Sequence, residues 1–329
     1  MSRLILSCIL VIAAGRMASS QEAEPDEAPP MCNTVAGKYP VPRLVFLGDS
    51  NTYAGRFAAI ADAKYQKLMQ GRAIQFVNLG VSSETAAGTS EPDHPFKRPC
   101  VHERIDKVLR MLKPTVVVMC YGMNDGIYQP PSQKIFAAYK DGMLRLAKKI
   151  KATHAMLIVM TPPPFEPEAI ESRGKKFGPN ANGNFAWNAP ARNYDDTVKA
   201  MSDWCMTNPF DAYAVVDLRT PLLELLQQKI KEDPEFLLTG DGVHFNDAAH
   251  DAVANALLAQ LPLGSHGGDE HLTEKELEVA IASNQLLRDA YLSATGKNRP
   301  GLKAGLPVVI AERQAAALRE TIAVPEPPQ

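Results

Sequence analysis

Short apolar runs alternate with amphipathic segments along most of the chain. The mostly apolar runs predict five strands, at residues 44–47, 74–78, 115–119, 156–160 and 214–217. Segments with helical periodicity lie between and after them, at residues 57–69, 102–113, 134–151, 194–206 and 247–261. Runs without a polar face indicate strands buried on both sides, and the alternation favours parallel strands joined by right-handed crossovers. The pattern therefore predicts an α/β domain with three layers, over residues 43–262.

Two segments depart from this alternation. Residues 161–193 are rich in Pro, Gly and Asn and are too long for an ordinary connection, so we predict a functional loop inserted into the domain. Residues 263–329 predict a helical C-terminal extension. Thr273 and Glu276 there form a capping-box pattern. A last helix is predicted at residues 308–322, and its expected apolar edge consists of Ile310, Leu318 and Ile322. These helices either pack on the core, or cover the site, or support oligomerisation.

The N-terminus has the pattern of a secretory leader. Arg3 precedes an apolar run at residues 4–14, and small residues follow at 18–20, which predicts a signal peptide over residues 1–20. The run is shorter than the roughly 20 residues that a membrane span needs, and no other run approaches that length. Residues 21–42 combine Pro with acidic side chains, which is typical of an extended linker. We expect a secreted or periplasmic protein without a membrane span in the mature chain.

The amino-acid composition limits the kinds of partner that we expect the protein to bind. The sequence of 329 residues has 35 basic and 37 acidic side chains, so it has no electrostatic signature for nucleic acid. Removal of the leader would leave Cys32, Cys100, Cys120 and Cys205, which allow one or two disulfides in an exported protein. Cys120 ends an apolar run and is predicted to be a buried strand thiol. Cys32, Cys100 and Cys205 are then the candidates for pairing, with the connectivity left open.

A small group of metal-binding residue types occurs between the second and third predicted strands. Asp93, His94, Cys100 and His102 lie close together in the sequence. Their spacing does not match a zinc-binding pattern, so we expect no metal there.

Chemistry-bearing residues lie next to two predicted elements that are far apart in sequence. Ser50 comes directly after the first strand in Gly48-Asp49-Ser50, at the sheet edge where open α/β folds place their sites. His244 precedes the helix at 247–261. Its imidazole can remove a serine proton near neutral pH, and the Asp241 carboxylate can orient that imidazole. Taken alone, each of these segments is also typical of an ordinary polar turn.

Two further segments end at the same predicted edge. Asn124 follows the third strand and offers a side-chain N–H to a developing oxyanion. Gly80 follows the second strand, and its backbone N–H has no side chain in the way. A turn explains either segment by itself, but four segments at one edge are a more specific signal than any one of them.

Together these four blocks resemble the SGNH hydrolase superfamily of GDSL-type esterases, over residues 44–261. The resemblance implies a flavodoxin-like αβα sandwich with a five-stranded parallel sheet. It further implies that Ser50 is the nucleophile and an oxyanion donor, that Gly80 and Asn124 supply the other donors, and that Asp241 and His244 complete a triad. No metal or organic cofactor is implied. Asn51 stands where the motif of the family has leucine, so the motif name gives no reason to infer a lipase.

The inserted loop suggests a substrate class. Its first residues, Thr161 to Pro164, are similar to a loop of small acetyl-ester hydrolases in the superfamily. A sugar could be bound by the polar amides and the indole that follow, although for Trp187 itself packing on the domain is the favoured explanation. These side chains are Asn180, Asn182, Asn184, Trp187 and Asn188. We therefore expect a secreted serine esterase for short-chain, above all acetyl, esters of small molecules or carbohydrates. The alternatives are a lysophospholipase or thioesterase, and a non-catalytic carbohydrate-binding protein on the same fold.

Overall fold

A computed structural model describes residues 34–35, 39–68, 74–261, 271–296 and 299–323 of the chain. The predicted leader at 1–20, most of the predicted linker and Cys32 lie outside the described residues. Within the described part, no helix is both long and apolar enough to cross a membrane.

A parallel sheet of five strands forms the centre of the fold, as the resemblance implies. A two-stranded antiparallel ribbon precedes it, formed by β1 (Thr34–Val35) and β2 (Tyr39–Pro40). The sheet contains β3 (Arg43–Gly48), β4 (Gln75–Asn78), β5 (Val116–Cys120), β6 (Met156–Met160) and β7 (Ala214–Val216). Its strand order is β4-β3-β5-β6-β7, and all neighbours are parallel. The carboxyl ends of β3, β4 and β5 therefore lie side by side.

Helices cover both faces of the sheet. They are α1 (Ser50–Ala54), α2 (Arg56–Leu68), α3 (Ile105–Leu112), α4 (Gln133–Lys151), α5 (Pro167–Glu171), α6 (Tyr194–Met206), α7 (Arg219–Lys229), α8 (Asp247–Leu258), α9 (Glu274–Thr295) and α10 (Val308–Ala323). The helices predicted from periodicity are present with small shifts at their ends. The α7 helix was not predicted, because its leucines are mostly exposed or half-buried and only Leu222 lies fully in the core.

The apolar strand residues are buried on both sides, as their pattern predicts. Val45 and Leu47 of β3 belong to one core, which includes residues of α3, α4, α9 and α10. Leu44 and Phe46 point to the opposite face and belong to a second core with residues of α2 and α8. Full burial of side chains of this size contributes about 1.5–3 kcal/mol each, so both faces of β3 stabilise the fold.

The C-terminal helices pack on the domain. The capping box at Thr273 and Glu276 is present at the start of α9, as predicted. The apolar edge predicted for α10 is wrong at Ile310, which is exposed, whereas Leu318 and Ile322 are half-buried. The buried edge consists instead of Val308, Ala311 and Ala315, because the small alanines let α10 lie close against α9.

The cysteines that the structure describes are all free thiols. Cys100 and Cys205, two of the three candidates for pairing, are buried and unpaired, so that expectation is wrong for them. Cys205 shares a hydrogen bond of 3.2 Å with the Tyr139 hydroxyl, and burial raises the pKa of its thiol to about 12. Cys120 ends β5, as predicted, but it is half-buried rather than fully buried.

Candidate active site

Ser50 lies at the carboxyl edge of the sheet, at the first residue of α1. Strand β3 ends at Gly48, and Asp49 caps α1 by accepting the Asn51 N–H at 3.1 Å. Gly48 is required by space rather than by an unusual backbone angle. A Cβ atom there would lie 2.1 Å from Oγ1 of Thr52 and 2.9 Å from the carbonyl oxygen of Cys120. This close packing holds the turn that presents Ser50.

The structure brings Ser50, His244 and Asp241 into one hydrogen-bonded chain. His244 Nε2 lies 2.8 Å from Ser50 Oγ, and His244 Nδ1 lies 2.7 Å from Asp241 Oδ2. The second carboxylate oxygen of Asp241 accepts the backbone N–H groups of Val243 and His244 at 3.1 and 2.9 Å. The carboxylate is therefore held in place from two sides, and the imidazole spans the gap to the serine.

Hydrogen bonds and nearby charges determine which groups of the Ser50–His244–Asp241 arrangement are protonated. Partial burial alone would raise the pKa of Asp241, but hydrogen bonds from the His244 side chain and backbone outweigh it and hold that pKa well below its usual range. The Asp241 carboxylate is thus ionised and accepts the Nδ1–H of His244, which leaves Nε2 free to accept the serine proton. The same hydrogen bond, together with the charges of Asp241 and Asp49, raises the pKa of His244.

Asn124 is held with one amide N–H available. Its Oδ1 accepts hydrogen bonds from Arg98 Nη1 at 2.9 Å and from the Tyr128 hydroxyl at 3.3 Å. Both partners are donors, so they fix the orientation of the amide and leave Nδ2 as the donor side. Nδ2 donates to the Glu84 carbonyl at 3.3 Å and retains a second N–H. Asn124 lines the same cavity as Ser50.

Gly80 is not placed as an oxyanion donor. Its N–H donates to Oδ1 of Asn78 at 2.8 Å, and Gly80 is not among the residues that line the cavity. Its lack of a side chain serves packing, because a Cβ there would lie 2.3 Å from the Tyr53 nitrogen in α1. Ser82 and Ser83, just after it, do line the cavity. Ser83 has a φ of 69°, and its N–H donates to no acceptor in the described part of the chain.

The triad opens into a cavity of about 340 Å³. The inserted loop contributes a large share of its walls, with Ile170, Lys175, Lys176, Trp187, Asn188 and Pro190. Trp187 does not pack into the domain, since it is 48% exposed. Arg299, from the connection between α9 and α10, also lines the cavity. The loop and the C-terminal extension thus both reach the site.

Three loop asparagines have a different role from the predicted one. Asn180, Asn182 and Asn184 donate from Nδ2 to the Asp93 carboxylate at 2.8, 3.1 and 2.8 Å. These bonds lower the pKa of Asp93. The three amides tie the inserted loop to the segment around Asp93, and of the amides predicted to contact a sugar only Asn188 lines the cavity.

The family follows from this chain's own sequence. The profile of the GDSL-like lipase/acylhydrolase family matches residues 46–252. The chain belongs to this family. It is a carboxylic ester hydrolase, as the resemblance of its four blocks implies. No curated protein matches the sequence.

Solved structures show a similar fold at low sequence identity. "BT4096 a gut microbial diltiazem-metabolizing enzyme" is 19% identical, with a TM-score of 0.51 over 67% of this chain and 46% of that chain. The hydrolase described here therefore spans less than half of that relative. A catalytic mutant of Axe2, an acetylxylan esterase from Geobacillus stearothermophilus, is 21% identical, with a TM-score of 0.46 over 70% of this chain and 97% of its own. The acetyl xylan esterase AlAXEase is 17% identical, with a TM-score of 0.45 over 67% and 99%.

Two buried side chains of the hydrolase hold the loop that contains the triad histidine. Asn51, where the family motif has leucine, donates from Nδ2 to the Val243 carbonyl at 2.9 Å and accepts the Phe245 N–H at 3.2 Å. Glu166, in the inserted loop, accepts the N–H groups of Leu238 and Thr239 at 2.9 and 2.8 Å. Sequence reasoning noted Asn51 only as a departure and missed Glu166, because neither contact is local.

Replacing Asn51 with leucine is expected to impair activity and stability together. The variant leaves the buried Val243 carbonyl and the half-buried Phe245 N–H without partners, which costs up to about 3 kcal/mol for each group. We expect a loss of about tenfold or more in kcat/KM, since a displaced imidazole no longer meets Ser50. Denaturant unfolding and p-nitrophenyl acetate hydrolysis measure the two effects. Asn255→Leu, at an exposed position of α8, is the control and should stay within about 0.5 kcal/mol of the parent. Unchanged activity in Asn51→Leu would show that the loop needs no such support.

The pH profile of the hydrolase should report the raised pKa of His244. Protonated imidazole cannot accept the serine proton, so kcat/KM should fall as the pH decreases through the pKa of His244. Because Asp241 and Asp49 raise that pKa, the midpoint should lie above the ordinary value of about 6.5. Initial rates of p-nitrophenyl acetate hydrolysis from about pH 4 to 9 test this. A rate that stays flat well below pH 5 would exclude His244 as the base.

A buried ion pair connects two walls of the cavity. The Arg98 guanidinium is 2% exposed and pairs with Glu91, and its Nη2 donates to Glu91 Oε1 at 2.7 Å. Its Nη1 is shared between Oδ1 of Asn124 at 2.9 Å and the Ser83 carbonyl at 3.4 Å. One guanidinium thus fixes both segments that face Ser50 across the cavity.

The residues considered for a metal have separate partners. Asp93 binds the three asparagine amides, while His94 Nδ1 contacts the Phe96 carbonyl at 2.6 Å and His102 Nε2 the Gly142 carbonyl at 3.1 Å. Cys100 is buried. Among the described residues, no group of three or more His, Cys, Asp or Glu side chains could hold a metal ion.

Proposed function

We propose that this hydrolase is an exported serine esterase that removes short acyl groups, above all acetyl groups, from carbohydrate. The observation that carries this proposal is the chain of hydrogen bonds from Asp241 through His244 to Ser50, which opens into a cavity with polar, cationic and aromatic walls. The chain supplies a nucleophile with its base, and the walls suit a polar substrate better than a lipid tail.

The first half of the reaction is acylation of Ser50. His244 Nε2 takes the proton of Ser50 Oγ as that oxygen attacks the ester carbonyl carbon. The carbonyl oxygen becomes an oxyanion, and we assign its donors as the backbone N–H of Ser50, the backbone N–H of Ser83 and Nδ2 of Asn124. Ser83 takes the place first given to Gly80, whose N–H is already bound to Asn78. The imidazolium then protonates the leaving sugar oxygen, and the C–O bond of the ester breaks.

The second half releases the acid. His244 removes a proton from a water molecule that attacks the acyl-Ser50 carbonyl, and the same three donors stabilise the second oxyanion. Collapse of this intermediate breaks the bond to Ser50 Oγ, and His244 returns the proton to Ser50. Asp241 stays ionised throughout and stabilises the imidazolium. Every proton transfer in this scheme has His244 of this protein as its donor or acceptor.

A short acyl group fits the composition of the cavity walls. Among the described lining residues, Ile170 and Val243 are the only branched aliphatic side chains, whereas Arg98, Lys175, Lys176 and Arg299 carry charges. A lysophospholipase or thioesterase would need a longer apolar groove to bury its acyl chain. Comparison of p-nitrophenyl acetate with p-nitrophenyl decanoate decides between these readings, and we expect the acetate to have the higher kcat/KM.

A carbohydrate as the alcohol part is supported by the exposed aromatic side chain. The Trp187 indole is 48% exposed at the cavity, where its face can stack on a sugar ring, and Asn188 beside it can donate and accept hydrogen bonds. Release of acetate from acetylated xylan, pectin or sialic acids is the direct test. Failure with all three, while p-nitrophenyl acetate is hydrolysed, would remove carbohydrate from the proposal.

Labelling with a fluorophosphonate probe tests the catalytic proposal itself. The purified protein should be labelled at Ser50, as located by peptide mapping, and the Ser50→Ala variant should not be labelled. Absence of labelling in folded protein would favour a non-catalytic carbohydrate-binding role. Export is tested separately by N-terminal sequencing of protein recovered outside the cytoplasm, which should begin close to residue 21.

A further inference from the structure

Three cationic side chains line the cavity without acidic partners. Lys175 and Lys176 are exposed on the inserted loop, and Arg299 reaches the cavity from the connection between α9 and α10. None of the three forms an ion pair with any residue that the structure describes. Cations from two distant parts of the sequence therefore converge on the space in front of Ser50.

Four acidic side chains in or near the cavity walls are already engaged. Glu91 pairs with Arg98, and Asp241 is bound to His244. Asp93 is held by three asparagine amides, and Glu171 pairs with Arg192 at 2.9 Å. These contacts leave Lys175, Lys176 and Arg299 as a positive field that faces an incoming substrate. Such a field in a cleft raises the local concentration of anions.

Arg299 is held in place but keeps an unused donor. Its guanidinium lies 5.3 Å from the ring centroid of Phe96, which also lines the cavity, and Nη1 donates to the Pro300 carbonyl at 3.2 Å. Its Nε is buried and has no hydrogen-bond partner. A buried donor without a partner destabilises the protein, and an acceptor on a bound ligand would relieve that cost. The planar guanidinium suits a carboxylate in particular, because it can donate two parallel hydrogen bonds.

We propose that the preferred substrate is an acyl ester of a sugar that carries a carboxylate, as uronic acids do. This inference rests on the proposed esterase function and specifies the substrate class of the same site. The carboxylate binds at Arg299, and Lys175 and Lys176 attract it into the cavity, while Trp187 contacts the sugar ring. Among esters with the same short acyl group, the charge of the substrate then sets which are hydrolysed fastest.

Two matched esters test the proposal by hydrolysis. They are monoacetylated methyl α-D-galacturonoside and monoacetylated methyl α-D-galactoside, which differ in a carboxylate against a hydroxymethyl group. We expect kcat/KM to be about tenfold or more higher for the acidic ester at low ionic strength, and this advantage to shrink in about 0.5 M salt as the charges are screened. Equal values, or a preference for the neutral ester, would overturn the inference.

A triple variant and its control localise the effect. In Lys175→Gln/Lys176→Gln/Arg299→Gln, the ratio of the two kcat/KM values should fall towards one. In Lys107→Gln/Arg110→Gln/Lys148→Gln, which removes three exposed cations of α3 and α4 that do not line the cavity, the ratio should stay as in the parent. If the ratio falls equally in both variants, the preference comes from net charge, and the proposed subsite is wrong. Thermal unfolding verifies that both variants are folded.

Binding to the Ser50→Ala variant separates this inference from the proposed function. Calorimetric titration with the same two esters should show tighter binding of the acidic one, whether or not the parent protein hydrolyses either. If the variant binds the acidic ester selectively but the parent does not hydrolyse p-nitrophenyl acetate, the esterase proposal is wrong and the carboxylate subsite is supported. If the parent hydrolyses p-nitrophenyl acetate but the variant does not bind the acidic ester selectively, the esterase proposal is supported and the carboxylate subsite is wrong.

Discussion

Alanine in place of Ser50 or His244 is expected to lower kcat for acetyl-ester hydrolysis by about 10³-fold or more. In the proposed mechanism Ser50 Oγ forms the acyl bond, and a serine hydroxyl is a weak nucleophile until a base removes its proton. His244 Nε2, at 2.8 Å, is the acceptor that the structure places there. Steady-state kinetics with p-nitrophenyl acetate, supported by circular dichroism of each variant, measure the effect.

The two losses should not add. Once either residue is absent, the other has no partner in the reaction, so Ser50→Ala/His244→Ala should be about as slow as either single variant. His94→Ala provides the histidine control, because His94 also lines the cavity but contacts the Phe96 carbonyl rather than the serine. Activity of His244→Ala within about tenfold of the parent would mean that another group acts as the base.

The framework of the site could be predicted from sequence because it rests on local patterns. Runs of apolar residues such as 44–47 can be buried only in a sheet covered on both faces, and this sets the parallel sheet and its edge. Ser50, Asn124 and His244 follow from that edge, since each lies within about five residues of the end of a predicted strand or the start of a predicted helix. Their convergence needs no knowledge of packing beyond the order of the elements.

Features that depend on long-range contacts could not be predicted. Asn51 and Glu166 hold the His244 loop through residues far away in sequence, and Arg299 reaches the cavity from the C-terminal extension. The absence of a side chain suggested Gly80 as a backbone donor, whereas Ser83, which lines the cavity with a left-handed backbone, has the N–H without an acceptor in the described residues. Since serine rarely adopts that conformation, its side chain gave no signal of it.

The exposure of individual side chains could not be predicted from the sequence either. An indole such as that of Trp187 is compatible with packing or with a binding wall, and only the position of the inserted loop decides between the two. The same holds for Ile310 in α10, where the small residues Ala311 and Ala315 face α9 and leave the larger side chain exposed.

Replacing Asn124 with alanine is expected to lower kcat by about 10²-fold or more, with a smaller change in KM. The amide is oriented by Arg98 and Tyr128 through Oδ1, which leaves Nδ2 to donate to the oxyanion. Because charge develops on the substrate oxygen mainly in the transition state, loss of this donor slows the chemical step more than it weakens binding. Steady-state kinetics with an acetyl ester separate kcat from KM.

Tyr128→Phe is the matched variant for this prediction. It removes the weaker of the two bonds to Oδ1, of 3.3 Å, and keeps the Arg98 bond of 2.9 Å, so the amide stays oriented and kcat should fall far less than in Asn124→Ala. In Asn124→Ala/Tyr128→Phe the second substitution should add little, since the hydroxyl acts on the reaction through the amide. If kcat of Asn124→Ala stays close to that of the parent, the Asn124 side chain does not donate to the oxyanion. The oxyanion would then depend on the backbone N–H groups of Ser50 and Ser83, which an alanine substitution leaves in place.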